Sequence, residues 1–190
     1  MGSPTADKIL DAARSLLVAG GYNGFSYADI STAVGIRKAS IHHHYPTKAE
    51  LVAVLLRRYV QQAQDGLAAL SQAVDDPAGQ LDAYLAYWQA CLLDATQPFC
   101  VCAMLASEMP LLPEPVAVEV RSHFRTLSEW LTGVLTAGET RGSFRLNASP
   151  EAEAQMIMAA VHGAMLSARA FGDATLFLAI MGPQAARLRA

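Results

Sequence analysis

Ser26-Tyr27-Ala28-Asp29-Ile30-Ser31-Thr32-Ala33-Val34-Gly35-Ile36-Arg37-Lys38-Ala39-Ser40-Ile41-His42-His43-His44-Tyr45-Pro46-Thr47-Lys48 is the stretch that decides the fold. Ser26 is a helix opener, and Asp29 three residues on is an acidic stand-in for the second half of a capping box. Ile30 and Val34 follow at helical spacing, and Gly35 supplies the stop. A second short helix is predicted from Lys38 to His44, halted at Tyr45-Pro46 because the residue before proline disfavours helical backbone. Two short helices joined by a turn containing glycine, packed on a preceding helix, describe a helix-turn-helix, whose second helix enters a groove.

Working outward, every other segment also carries helical spacing, and no alternating run between hairpin turns argues for a sheet. The expected fold is all-α. Ser3-Pro4 provides a cap and an N1 proline for a first helix with an apolar stripe of Ile9, Ala13, Leu16 and Leu17, ending at Gly20-Gly21. Thr47 to Glu50 forms a capping box that opens a long helix through Leu51, Val54, Leu55 and Tyr59 towards Val74. Asp76-Pro77 caps a helix over about 77–95, Gln97-Pro98 separates it from a segment running to Met109, and Pro110, Pro113 and Pro115 form a break. Helices are then predicted over about 114–141, from Ser149-Pro150 to Phe171, and from Asp173 to 188. The expected division is a three-helix helix-turn-helix domain over 1–47 and a helical ligand-binding and dimerisation domain over 48–190.

Composition narrows the function. The 190 residues are 53% hydrophobic and 16% charged, which excludes a disordered chain and implies apolar surface hidden in a partner or pocket. No stretch reaches the roughly 18 apolar residues that span a bilayer, and no secretion signal opens the chain, so a cytoplasmic protein with no membrane partner is expected. The net charge of −3 conceals an asymmetry. Residues 1–58 carry 7 basic and 4 acidic groups, a charge of +3, which leaves −6 for the rest. A basic head on an acidic body suits a head that meets phosphate. The odd number of cysteines, Cys91, Cys100 and Cys102, points to free thiols rather than a disulfide framework.

The string Val34 to Lys48, with Gly24-Phe25-Ser26-Tyr27-Ala28-Asp29-Ile30 before it and Glu50-Leu51 after it, closely resembles the DNA-binding signature of the TetR family over about residues 5–52. The family usually shows a small residue, Thr or Ser, a hydrophobe and an aromatic-rich triplet, followed by an aromatic residue, Pro, a polar residue and Lys. Here Ala39, Ser40, Ile41, the triplet His42 to His44, Tyr45, Pro46, Thr47 and Lys48 take those places. The triple histidine departs from the tyrosines usual at its first and third positions. Imidazole can still donate to phosphate, and more strongly as pH falls towards its ordinary pKa of about 6.5. Three consecutive histidines diverge by about 100° per residue on a helix and do not converge on one ion, so no metal and no cofactor are expected.

The resemblance implies a homodimeric regulator, a repressor by default, on a palindromic double-stranded DNA operator. Lys48, Ser40 and His42 are the candidates for phosphate contact, and Arg37, Lys38 and His43 for base edges, with phosphate contact alone as the alternative for Arg37 and Lys38. Tyr27 and Ala39 complete the candidate interface with His44, although Tyr27, Ala39, Ile41 and Tyr45 also read as packing residues.

The body is similar to a cysteine-bearing subgroup of the same family, through Phe99-Cys100-Val101-Cys102-Ala103-Met104-Leu105-Ala106-Ser107-Glu108-Met109, Glu129-Trp130-Leu131 and Gly163-Ala164-Met165-Leu166. This likeness implies a small hydrophobic or electrophilic effector. Cys100 is expected in the first turn of a helix, where free amides and the dipole favour thiolate; burial in the core is the alternative. Candidate effector contacts are Tyr84, Tyr87, Trp88, Cys91, Cys100, Met104, Phe124, Met158 and His162, each also readable as core. Ala159, Ala160, Gly163 and Ala164 allow close helix approach across a dimer interface. No phosphate-cradling loop, nucleophile elbow or zinc-hydrolase histidine pair is present, so an enzyme is not expected.

Overall fold

A computed structural model describes residues 3–94 and 99–190. Among these the chain is helical: α1 Pro4–Gly20, α2 Tyr27–Val34, α3 Lys38–His44, α4 Lys48–Ala73, α5 Pro77–Leu93, α6 Val101–Ala106, a 3-10 turn Met109–Leu111, α7 Glu114–Thr140, α8 Pro150–Phe171 and α9 Thr175–Leu188. The pairing of Phe144 with Arg189 is an isolated bridge. The break expected at Gln97-Pro98 lies outside the described residues. No described helix is long and apolar enough to cross a membrane.

The chain packs as two compact units, Met1–Gln62 with Pro98–Phe124, and Ala63–Gln97 with Arg125–Ala190. In the first, α1 packs against α2, α3 and α6. Its core holds Ile9, Ala13, Leu17, Ile30, Ile41, Leu51, Leu56, Val101 and Leu105. Leu10 rather than Leu16 completes the buried stripe of α1, and Val52 and Leu56 rather than Val54 carry the inner face of α4. Neighbouring apolar residues in these helices differ by 100° in azimuth, and spacing alone does not say which of two adjacent candidates faces inward. Each such side chain contributes about 1.5–3 kcal/mol on full burial.

In the second unit α8 packs against α9 and both against α5. Leu81, Leu131, Leu135, Ile157, Met165, Phe177 and Leu188 are buried there. Glu153 is also fully buried, and Arg187 from α9 donates to both of its oxygens, at 3.1 and 2.8 Å. The Asn147 amide adds a third hydrogen bond at 3.1 Å. Arg187, with the Asn147 amide, holds the Glu153 carboxyl below the usual glutamate range against the upward push of burial. α9 contains Pro183 in its interior.

Candidate nucleic-acid interface and effector region

The local chemistry of residues 26–48 sets the interface. Ser26 accepts from the Ala28 amide at 3.2 Å, while Asp29 accepts from the Ser26 amide and hydroxyl at 2.7 Å each. Those bonds hold the Asp29 carboxyl below its ordinary range. The expected capping box is therefore complete, and α2 starts at Tyr27. Gly35 ends it in the left-handed conformation, φ 72° and ψ 34°, where a β-carbon is disfavoured. The Ser31 hydroxyl donates to the Ile36 carbonyl at 2.6 Å, closing the turn.

α3 is held from its inner side. Ile41 is fully buried and Tyr45 nearly so. The buried Tyr27 hydroxyl donates to the Tyr45 carbonyl at 2.7 Å, tying the start of α2 to the end of α3. Burial, then the charge of Glu50, pushes the Tyr27 phenol up to about 12, so it remains a donor throughout the neutral range. The Tyr27 ring also meets that of His42 at 4.6 Å. Tyr27 thus sits in the core of the helix-turn-helix, the packing role weighed for it in the sequence.

Anchoring one side leaves the opposite face to solvent. Arg37, Lys38, Ala39, Ser40, His42 and His43 are exposed, and His44 is half-buried with its ring 5.6 Å from that of His43. His42 Nδ1 lies 3.2 Å from the Pro46 carbonyl, which places it at the C-terminal end of α3. Arg37, Lys38 and Ser40 lie at its N-terminal end, the end that recognition helices direct at base edges. Lys48 is more constrained than the resemblance implied. Its Nζ donates to the Phe25 carbonyl and lies over the Tyr22 and Phe25 rings, at 4.8 and 4.0 Å from their centres. Burial lowers its pKa, opposed by Glu108 and Asp29.

The candidate effector residues divide between the units. In the second, Tyr84 and Trp88 are buried, and Tyr84 lies 5.4 Å from the Trp130 ring. Met158 and His162 are buried, Cys91 is half-buried, and Tyr87 is 59% exposed on the outer face of α5. Burial pulls the His162 imidazole down to about 4, only partly opposed by its hydrogen bond to the Met158 backbone. An apolar groove of about 470 Å³ lies between α5 and α9, lined by Leu85, Ala86, Gln89, Leu93, Leu178 and Gly182 among others. None of the candidate residues lines it: Tyr84, Tyr87, Trp88 and Cys91 lie at other positions of α5, and the rest belong to α6, α7 and α8.

In the first unit, Cys100 stands at the N-cap of α6, as expected from its position, but it is fully buried. Its sulfur is 3.6 Å from Nε2 of the buried His123, and the His123 ring lies 5.7 Å from that of Phe124. Burial pushes the Cys100 thiol up, and hydrogen bonds from Tyr59 and the Ala103 and Cys102 amides offset this only in part. The thiolate expected at this helix start is thus opposed by desolvation, and Cys102, also buried, is raised further. Met104 and Phe124 are half-buried.

Residues 9–55 match the family described as bacterial regulatory proteins, tetR family, and residues 77–181 match the tetracyclin repressor-like C-terminal domain. The chain is 56% identical to a TetR-family transcriptional regulator from Agrobacterium tumefaciens, with 98% of each chain covered and a TM-score of 0.96. It is 22% identical over 165 residues to the HTH-type transcriptional repressor DhaR of Mycobacterium sp. strain GP1, covering 86% of this chain and 82% of that one. The HTH-type negative transcriptional regulator IcaR of the Staphylococcus epidermidis biofilm operon icaADBC is 47% identical over 45 residues, 24% of each chain.

Proposed function

This chain belongs to the TetR family of bacterial regulatory proteins, and we propose that it is a repressor whose homodimer leaves a palindromic operator when a small apolar effector binds. It is a DNA-binding transcription regulator and not an enzyme. The observation that carries the reading is the asymmetry of α3, with Ile41 and Tyr45 buried and Arg37, Lys38, Ser40, His42 and His43 exposed together. A helix so anchored presents cations and donors as a rigid set. We assign residues 1–47 to DNA binding and 48–190 to effector binding and dimerisation. Repression is supported by the names of DhaR and IcaR, a transcriptional repressor and a negative regulator.

Dimerisation is supported by apolar groups exposed on α8 and α9, among them Met156, Leu166, Phe171 and Leu178. Ala159 and Gly163 share that exposure, whereas Ala164 is buried within its own unit and drops out of the contact set expected from sequence. Paired heads place their recognition helices about 34 Å apart on successive turns of DNA. We favour an apolar effector over an electrophile because burial raises the Cys100 thiol. Tyr84, Trp88, Cys91, Met158 and His162 remain the candidate contacts within the second unit.

Sedimentation of the protein with a palindromic duplex, before and after thiol alkylation, tests this reading. Dimers bound to the duplex and indifferent to the alkylating agent are expected. Monomers on single half-sites, or release by alkylation of Cys100, would overturn the dimer or the apolar-effector reading respectively.

A further inference from the structure

The turn between α1 and α2 is clamped from two sides by charged groups distant in sequence. On one side, both carboxylate oxygens of Glu108 accept from the Tyr22 amide, at 3.1 Å each and across 86 residues. A β-carbon on Gly21, whose φ is 74°, would stand only 2.1 Å from Oε1, so the carboxylate occupies space that only glycine leaves open. On the other side, Lys48 at the head of α4 donates to the Phe25 carbonyl and covers the Tyr22 and Phe25 rings. Both rings are buried, so the turn is packed as well as hydrogen-bonded. Glu108 is itself fixed, its amide donating to the Leu105 carbonyl at 3.0 Å and its carbonyl accepting from the Leu111 amide at 2.8 Å.

We propose that Glu108 is a positioning residue for DNA binding: its carboxylate fixes the Gly21–Phe25 turn and, through it, the place of Lys48 beside the recognition helix. The carboxylate and the ammonium grip the same five residues, and each limits where the other can settle. The attraction between Glu108 and Lys48 acts in the same sense. All of these groups lie within one compact unit. Glu108 belongs to the stretch that matches the family's C-terminal domain, while the turn and Lys48 belong to the stretch that matches its DNA-binding domain. The side chain therefore acts on the interface without touching DNA. The proposal rests on the assignment of Lys48 to phosphate contact.

The test compares the native protein with Glu108→Ala, Glu108→Gln, Lys48→Met and the Glu108→Gln/Lys48→Met double variant. The DNA is a duplex enriched by the native protein from a random library. In Glu108→Ala without DNA, Tyr22 amide exchange should accelerate about tenfold while amides in the core of α8 keep their protection. Glu108→Gln, which keeps one acceptor oxygen, should restore part of it. Glu108→Gln and Lys48→Met should each weaken binding by about tenfold, and the double variant by clearly less than the product of the two. Unchanged Tyr22 exchange in Glu108→Ala, unchanged affinity in a folded Glu108→Gln, or strictly additive losses would each overturn the proposal. A Lys48→Met variant that binds as well as the native protein would instead remove the phosphate assignment beneath it.

Discussion

The helix-turn-helix and the α8–α9 pair use charge in opposite ways. Over residues 26–48 the charged side chains of Asp29, Arg37 and Lys38 lie at the surface, Lys48 is half-buried, and the buried Tyr27 hydroxyl donates to one backbone carbonyl. In the α8–α9 pair a carboxylate is fully buried and takes three hydrogen bonds from Arg187 and the Asn147 amide. A surface cation remains available for phosphate, whereas a buried ion pair is already committed. The exposed charge of Arg37 and Lys38 is thus open to a partner, and the Glu153–Arg187 pair is used within the body. Substitutions should separate accordingly into those that cost affinity and those that cost stability.

The largest effect should come from Glu153→Ala, which leaves Arg187 without its partner and should cost about 3 kcal/mol in denaturant unfolding. Because the Glu153 pKa is lowered on folding, its stabilisation is present above the ordinary glutamate value of about 4.3 and disappears as pH falls through the lowered one. His162 adds a second acid sensitivity. Its folded pKa of about 4 lies below the ordinary 6.5, so the unfolded chain binds the proton first and stability falls as pH drops across that window. The loss should approach roughly 3 kcal/mol at the acid end, and His162→Gln should flatten the melting profile between those pH values.

Substitutions in the head should reverse the pattern. Arg37→Ala and Lys38→Ala should each cost about 1–3 kcal/mol of operator affinity while leaving thermal unfolding within about 0.5 kcal/mol of the native value. A smaller effect is expected for Tyr27→Phe. It removes the hydrogen bond to the Tyr45 carbonyl and should lower stability by about 1 kcal/mol. If Arg37→Ala instead unfolded the protein, or Glu153→Ala cost affinity without stability, the contrast between the regions would fail.

What could be read from the sequence follows the range of the interactions. α2 and α3 were legible to the residue because their signals are local: Ser26 and Asp29 are three apart, Gly35 closes one helix, and Pro46 follows the other. His42 and His43 turn away from the buried Ile41 by helical geometry, whereas Arg37 and Lys38, four and three residues before it, are exposed because they stand at the open start of α3. The ion pair of Glu153 with Arg187 spans 34 residues and the Glu108 clamp spans 86, and no local pattern marks either. Cys100 shows the limit most clearly. Its place at a helix start was legible, but its burial depends on α1, α4 and α7 residues that no spacing rule brings together.

The measurement that bears most directly on the central claim is a salt series of duplex binding by the native protein and by Arg37→Ala/Lys38→Ala. The enriched duplex and an unrelated one of equal length would be compared. The account predicts sequence-selective binding that weakens steeply with salt, with the slope of log affinity against log salt reduced by about one for each phosphate-bound cation removed. Binding that ignores salt, or that survives the double substitution undiminished, would contradict the assignment of the exposed face of α3 to DNA.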